Sequence, residues 1–193
     1  MNSRLVLAST SPFRQSLLAR LGLPFQTVSP EADESRVEQE DAQEMVKRLS
    51  CQKARAVASA YPDHLIIGSD QVALVDGHIL GKPGNRENAI AQLKQASGKS
   101  VTFLTGLCLL DSQSGREQVI CEPFKVHFRD LEEEQIERYI DREQPFGCAG
   151  SFKSEGLGIV LFSRLEGDDP NALIGLPLIR LVEMLRNEEV SLP

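Results

Sequence analysis

Each short apolar run in this chain breaks off at a polar island, and that alternation is what most restricts its fold. The islands are Ser9-Thr10-Ser11-Pro12-Phe13-Arg14, Gly68-Ser69-Asp70-Gln71, Gly81-Lys82-Pro83 and Ser151-Phe152-Lys153-Ser154-Glu155-Gly156. Short apolar runs bounded by turn signals read as buried strands, and the stretches between them carry apolar residues at helical spacing. Strands alternating with helices give an α/β fold, which places binding chemistry where strands end and helices begin. The islands hold hydroxyls, an arginine, two lysines and two carboxylates, a set suited to gripping a phosphate chain and hydrolysing it with a metal.

The elements follow in order. Arg4–Ala8 reads as a buried strand, then Ser11 as an N-cap and Pro12 as the first residue of a helix that stops at Gly22. Residues 24–40 read as irregular and acidic. Asp41 and Glu44 form a capping box for a helix with an apolar stripe of Met45, Val46, Leu49, Ala56, Val57 and Ala60. His64–Gly68 is a second strand, and Asp76-Gly77 turns a hairpin between Val72–Val75 and His78–Leu80. A helix over about 86–97 is closed by Gly98. Long strands, Val101–Leu110 and Gln118–Phe128, flank the Asp111–Gly115 turn. Asp130 and Glu133 are expected to cap a helix presenting Ile136, Tyr139 and Ile140. Pro145–Gly158 reads as a glycine-dense loop leading to a strand at Ile159–Phe162. Asp168–Asn171 reads as a turn, and a last helix spans about 177–186 before a frayed tail.

Composition narrows the function classes. With 193 residues, 41% of them apolar and 25% charged, the chain suits one well-buried α/β domain or two small lobes around a cleft. A net charge of −7 argues against nucleic acid as the main partner. A small anionic substrate is not excluded, because local field governs its binding. No apolar run approaches the roughly 20 residues of a membrane span. Met1–Leu7 has no long apolar core ending in a cleavage site, so no signal peptide is expected. Cys51, Cys108, Cys121 and Cys148 form no CxxC pair and read as reduced, mostly buried thiols of a cytoplasmic protein. His64, His78 and His127 sit in strand-like segments and read as structural.

Each candidate site residue has an ordinary alternative. A helix N-terminus attracts anions, and Ser9 and Arg14 add a hydroxyl and a guanidinium; the alternative is a plain N-cap beside a solvated arginine. Lys53 lies four residues after Leu49, inside the apolar stripe, so it either snorkels to the edge or points into a site that needs a cation. Asp70 follows the run Leu65-Ile66-Ile67-Gly68, and a carboxylate ending a buried strand suits a general base or metal ligand; the alternative is a turn-forming aspartate. Lys82 stands on a rigid corner of a common turn type. Lys153 and Glu155 lie in the glycine-dense loop, where charges are usually just solvated. No GxxxxGK[ST] or GxGxxG occurs, so Walker and Rossmann phosphate binding are unsupported.

Taken together and in this order, Leu7-Ala8-Ser9-Thr10-Ser11-Pro12-Phe13-Arg14, Gly68-Ser69-Asp70 and Gly81-Lys82-Pro83 resemble the Maf family of nucleoside triphosphate pyrophosphatases. The likeness runs from Leu5 to Pro177 and implies one domain over 1–193. The implied fold is inosine-triphosphate-pyrophosphatase-like: a long bent mixed sheet with flanking helices, and two lobes around a cleft. The implied reaction cuts between the α- and β-phosphates with a divalent cation, Mg²⁺ or Mn²⁺. By position, the resemblance implies Ser9, Arg14, Lys53 and Lys82 as phosphate ligands, Asp70 as proton acceptor, and Glu34 with Asp70 as metal ligands. Phe13, Gln71 and Glu155 replace residues typical of the pyrimidine-nucleotide branch and resemble the branch acting on 7-methyl-GTP. An aromatic face attracts the cationic methylated base, and a carboxylate accepts from the guanine donor edge. The alternatives are a pyrophosphatase for dTTP, UTP or other modified nucleotides, or a non-enzymatic regulator of septum formation, which would not need Asp70 and Glu34 beside phosphate-binding cations. A homodimer is compatible by analogy alone.

Overall fold

The structure, a computed structural model, describes residues 4–192; the start of the Met1–Leu7 segment and the last residue of the tail lie outside the described residues. The strands are β1 (Leu5–Ala8), β2 (Gln26–Val28), β3 (Leu65–Val75), β4 (His78–Leu80), β5 (Ser100–Asp111), β6 (Glu117–Phe128) and β7 (Phe162–Glu166). The helices are α1 (Pro12–Ala19), α2 (Ala42–Ala58), α3 (Arg86–Ala96), α4 (Glu133–Glu143), α5 (Pro170–Ile174) and α6 (Leu178–Asn187). One mixed sheet has the order β2-β1-β3-β5-β6-β7, with β4 also paired to β3. β1 pairs parallel with β2 and β3, and β4 and β7 pair antiparallel with β3 and β6. The expected α/β class and mixed sheet are borne out.

The chain divides into two compact units. The first comprises residues 1–70, 105–122 and 175–193; the second comprises 71–104 and 123–174. Strand β3 passes from one to the other at Asp70/Gln71. Each unit has its own buried cluster. In the first, Val6, Ala8, Cys51, Ala54, Val57, Ile66, Cys108 and Leu110 pack together. In the second, Phe128, Phe152 and Phe162 meet edge to face, with centroids 4.8–5.5 Å apart, and Phe103 joins them through Phe152.

Helix α2 lies unusually close to the sheet, and two glycines are the reason. A Cβ on Gly68 would stand 2.0 Å from the Ser50 carbonyl oxygen, and one on Gly106 would stand 2.2 Å from that of Val46. Only a hydrogen atom fits between these backbones.

Several local expectations are corrected. β3 runs unbroken through Gly68-Ser69-Asp70-Gln71, so Asp70 lies within a strand instead of ending one. The short strand β2 hides in the polar 24–40 stretch, where edge pairing to β1 outweighs weak patterning. Ala56 and Ala60 are exposed, while Ser50, Cys51, Lys53 and Ala54 are buried in α2. The cap of α4 is Glu132, without a side-chain bond, instead of Asp130. Residues 145–161 contain two short 3₁₀ turns, and the following strand starts only at Phe162. The tail is tied down as far as Val190, whose N–H donates to the Leu185 carbonyl at 3.0 Å.

Candidate active site

The first unit gathers Ser9, Phe13, Arg14, Glu34, Lys53 and Asp70. Lys53 is the pivot. Its Nζ lies 2.6 Å from Asp70 Oδ1 and 2.8 Å from Glu34 Oε1. The residue is only 7% exposed, so it does not snorkel. Helical spacing puts it on the inner face of α2, and the Gly68 and Gly106 contacts set that face against β3, which carries Asp70. Glu34 comes from an irregular segment that Arg48 ties to α2. The Arg48 guanidinium donates to both Glu40 oxygens at 2.6 and 2.7 Å and to the Ser35 carbonyl at 3.2 Å.

Arg14 is held from the far end of the chain. Its Nε donates to the Gly175 carbonyl at 2.8 Å. The same oxygen lies 3.0 Å from the hydroxyl of Ser69, a fully buried residue whose hydroxyl also reaches the Gly106 carbonyl at 2.8 Å. Gly175 has a φ of +126°, which a side-chain-bearing residue rarely adopts. Burial draws the Arg14 pKa below its ordinary value, while Asp70 and Glu34 pull it back up. Arginine stays charged throughout. Ser9 is buried and its Oγ accepts the Ser11 N–H at 3.1 Å, leaving its own proton to donate. Ser11 caps α1 as expected, and Phe13 is half-buried on that helix.

Gln71, Lys82 and Glu155 belong to the second unit. The Gln71 amide nitrogen donates to the carbonyls of Ala172 and Leu173 at 2.8 and 3.1 Å, which commits it to holding α5. Lys82 is exposed on a corner fixed by its neighbours: Asn88 donates to the Pro83 carbonyl at 2.9 Å and Gln92 to that of Gly81 at 3.1 Å. Glu155 is exposed, on a loop clamped on both sides. Lys153 Nζ donates to the Glu143 carbonyl at 2.9 Å and pairs with its carboxylate at 3.2 Å; the other carboxylate oxygen accepts the Leu157 N–H at 2.9 Å. Phe152 anchors the same loop in the aromatic cluster. Lys153 is therefore a strap for the loop that carries Glu155.

Sequence reasoning missed Ser69, Gly106, Gly175, Arg48 and Glu143 as the residues that position the rest. Their signal was faint. Ser69 stands inside the Gly68-Ser69-Asp70 motif, but nothing in sequence reveals that the Gly175 carbonyl serves both Ser69 and Arg14 across more than a hundred residues.

Asp70 and Glu34 offer hard oxygen donors converging on one cationic point, which fits a magnesium-class ion. Such an ion is usually held by one or two carboxylates, with substrate phosphates and waters completing the shell. The charges agree: Arg14 and Lys53 cancel Asp70 and Glu34, which leaves no net positive charge to meet a triphosphate.

A mixed sheet flanked by helices, with an arginine, a lysine and two carboxylates gathered in one unit, defines an α/β protein built to handle an anion. Its fold is similar to that of the Staphylococcus aureus Ham1 protein, with a TM-score of 0.54 over 96% of this chain and 99% of that one, at 12% identity. The chain belongs to the Maf family, whose "Maf-like protein" description matches residues 4–188. Similar proteins include a "7-methyl-GTP pyrophosphatase" of Pseudomonas aeruginosa, 61% identical over 98% of both chains. The protein of that name from Alcanivorax borkumensis is also 61% identical, over 98% of this chain and 96% of its own. That of Colwellia psychrerythraea is 56% identical over 97% and 94%. No helix among the described residues is long and apolar enough to cross a membrane.

Proposed function

We propose that this chain is a cytoplasmic nucleoside triphosphate pyrophosphatase working as one functional domain over 1–193, with 7-methyl-GTP as its preferred substrate. The products are a nucleoside monophosphate and pyrophosphate. The observation that carries the reading is Lys53 Nζ bridging Asp70 and Glu34 in a buried position. A lysine so placed meets phosphate oxygens, and Arg14, pinned by Gly175, adds a planar fork suited to them. Ser9 donates its hydroxyl proton to the same phosphates, and Lys82 supplies a further cation. Asp70 orients the attacking water and takes its proton. Glu34 and Asp70 would hold Mg²⁺ or Mn²⁺, which when bound supplies charge neutralisation at the phosphates. Phe13 offers an aromatic face to the cationic base, and Glu155 accepts from the N1–H and exocyclic amine. The names of relatives at 56–61% identity support the base assignment. Gln71 acts on specificity through α5, since its amide nitrogen is taken.

The experiment is product analysis with 7-methyl-GTP, GTP, dTTP and UTP, assaying pyrophosphate and orthophosphate separately. The expected outcome is pyrophosphate with a monophosphate, fastest for 7-methyl-GTP. Orthophosphate with a diphosphate as primary products overturns the reading.

A further inference from the structure

Away from the carboxylate pair, the first unit contains a second cluster that the pyrophosphatase reading does not use. Cys51 on α2, Cys108 on β5 and Glu117 at the start of β6 place their ligand atoms within 4.8 Å of one another. It is the one group of three or more potential metal-ligating side chains among the described residues. Cys51 is 8% exposed and Cys108 fully buried. We propose that Cys51, Cys108 and Glu117 form a binding site for a thiophilic divalent cation of the zinc class, separate from the site that serves catalysis.

Donor chemistry carries the argument. Two sulfurs and one carboxylate oxygen are a zinc-type set with three protein ligands and a fourth position for water. Magnesium and manganese prefer oxygen, so the two sites sort different ions. Sulfurs bound about 2.3 Å from a tetrahedral ion lie about 3.8 Å apart, which a spacing within 4.8 Å reaches by a change of at most about 1 Å. Apolar neighbours Val6, Ala54, Val57, Ile66 and Leu110 keep the sulfurs dry.

Binding releases one proton from each thiol as two metal–sulfur bonds form. Two thiolates and one carboxylate around a divalent cation leave a single negative charge. Arg55 offsets it, donating to both Glu117 oxygens at 2.5 and 2.6 Å; each oxygen has a second lone pair for the metal. A simple core pair of thiols would require neither the carboxylate nor its arginine. The ion would pin α2, two residues before Lys53, to β5, two residues after Gly106.

The test titrates the full chain, reduced and stripped of metal, with Cd²⁺ in excess Mg²⁺. One equivalent should produce a sulfur-to-cadmium charge-transfer band. Cys51→Ser and Cys108→Ser should each abolish it, Glu117→Gln should weaken binding, and Cys121→Ser should leave it intact. X-ray absorption on zinc-loaded wild-type protein should show two sulfur neighbours, which decides the matter even if the serine variants fail to fold. No band in the wild-type chain, a band that survives Cys51→Ser and Cys108→Ser, or a zinc shell of oxygen and nitrogen alone overturns the proposal.

Discussion

Lys53 carries the sharpest conflict between stability and use. A cation 7% exposed loses most of its hydration, and its two ion pairs return only part of that cost. Methionine has similar length and no charge to desolvate. Lys53→Met removes that cost but takes away the cation paired with the part-buried Asp70 carboxylate, so it is expected to melt below the wild-type protein. Turnover should fall about 10²–10³-fold, the loss typical of a donor aimed at developing charge. Calorimetry with steady-state kinetics reads both; early melting with normal turnover would make the lysine structural. This residue was partly legible in sequence, because a lysine in an apolar helical stripe is anomalous by itself. Its partners were not. Glu34 stands in an acidic stretch where every carboxylate looks alike, and only Arg48 binding Ser35 and Glu40 singles that segment out. Asp70 was legible as a type but misplaced, because the polar island Gly68-Ser69-Asp70-Gln71 read as the end of a strand. Gly68 is instead a close-approach glycine within a continuous strand.

At the scale of elements, α2 against the sheet is the contact on which the site depends. Gly68→Ala places a methyl 2.0 Å from a backbone oxygen that has no freedom to swing away. The helix must move off β3, at a cost of about 1–3 kcal/mol or more, and Lys53 moves with it. Both melting temperature and turnover should fall, whereas a variant with wild-type melting behaviour would show that α2 and β3 are not so closely packed. The Asp111–Gly115 turn gives an independent prediction. Ser114 and the Gln113 N–H bond the Asp111 carboxylate and hold its pKa below the ordinary value. A carboxylate depressed in the folded state adds stability above its unfolded pKa, and that stability is lost as pH falls through the folded pKa. Asp111→Ala should thus melt lower at neutral pH, with the two melting curves converging in acid; a gap that stayed constant with pH would assign the loss to something other than the ionised carboxylate. The caps of α1 and α2 and the Asp76-Gly77 hairpin were readable because caps and turns are local chemistry. β2 and the 3₁₀ turns were not, because sheet pairing and the aromatic cluster around Phe152 impose them from a distance.

At the scale of the whole molecule, the proposed roles fall into two sets. Ser9, Arg14, Glu34, Lys53, Asp70 and Lys82 are proposed to serve the phosphates and the metal, and Phe13 and Glu155 the base. Substitutions in the first set should depress every substrate alike, because all triphosphates share the same phosphates. Glu155 should act on the base alone. Its loop is fixed by Phe152 in the aromatic cluster and by the Lys153–Glu143 strap, so the carboxylate is carried on a rigid mount while its head stays exposed. A carboxylate matches the donor edge of guanine and repels the acceptors of uracil and thymine. Glu155→Gln keeps the shape but loses one acceptor and the charge opposite the methylated ring. The mismatch should cost about 1–3 kcal/mol, or roughly 5- to 150-fold in kcat/KM for 7-methyl-GTP. For dTTP and UTP the same change should be near neutral or mildly favourable. Measuring all three substrates at one metal concentration and one pH separates the cases. Equal losses on every substrate would move Glu155 into the phosphate machinery and leave base selection to Phe13 and to α5 acting through Gln71.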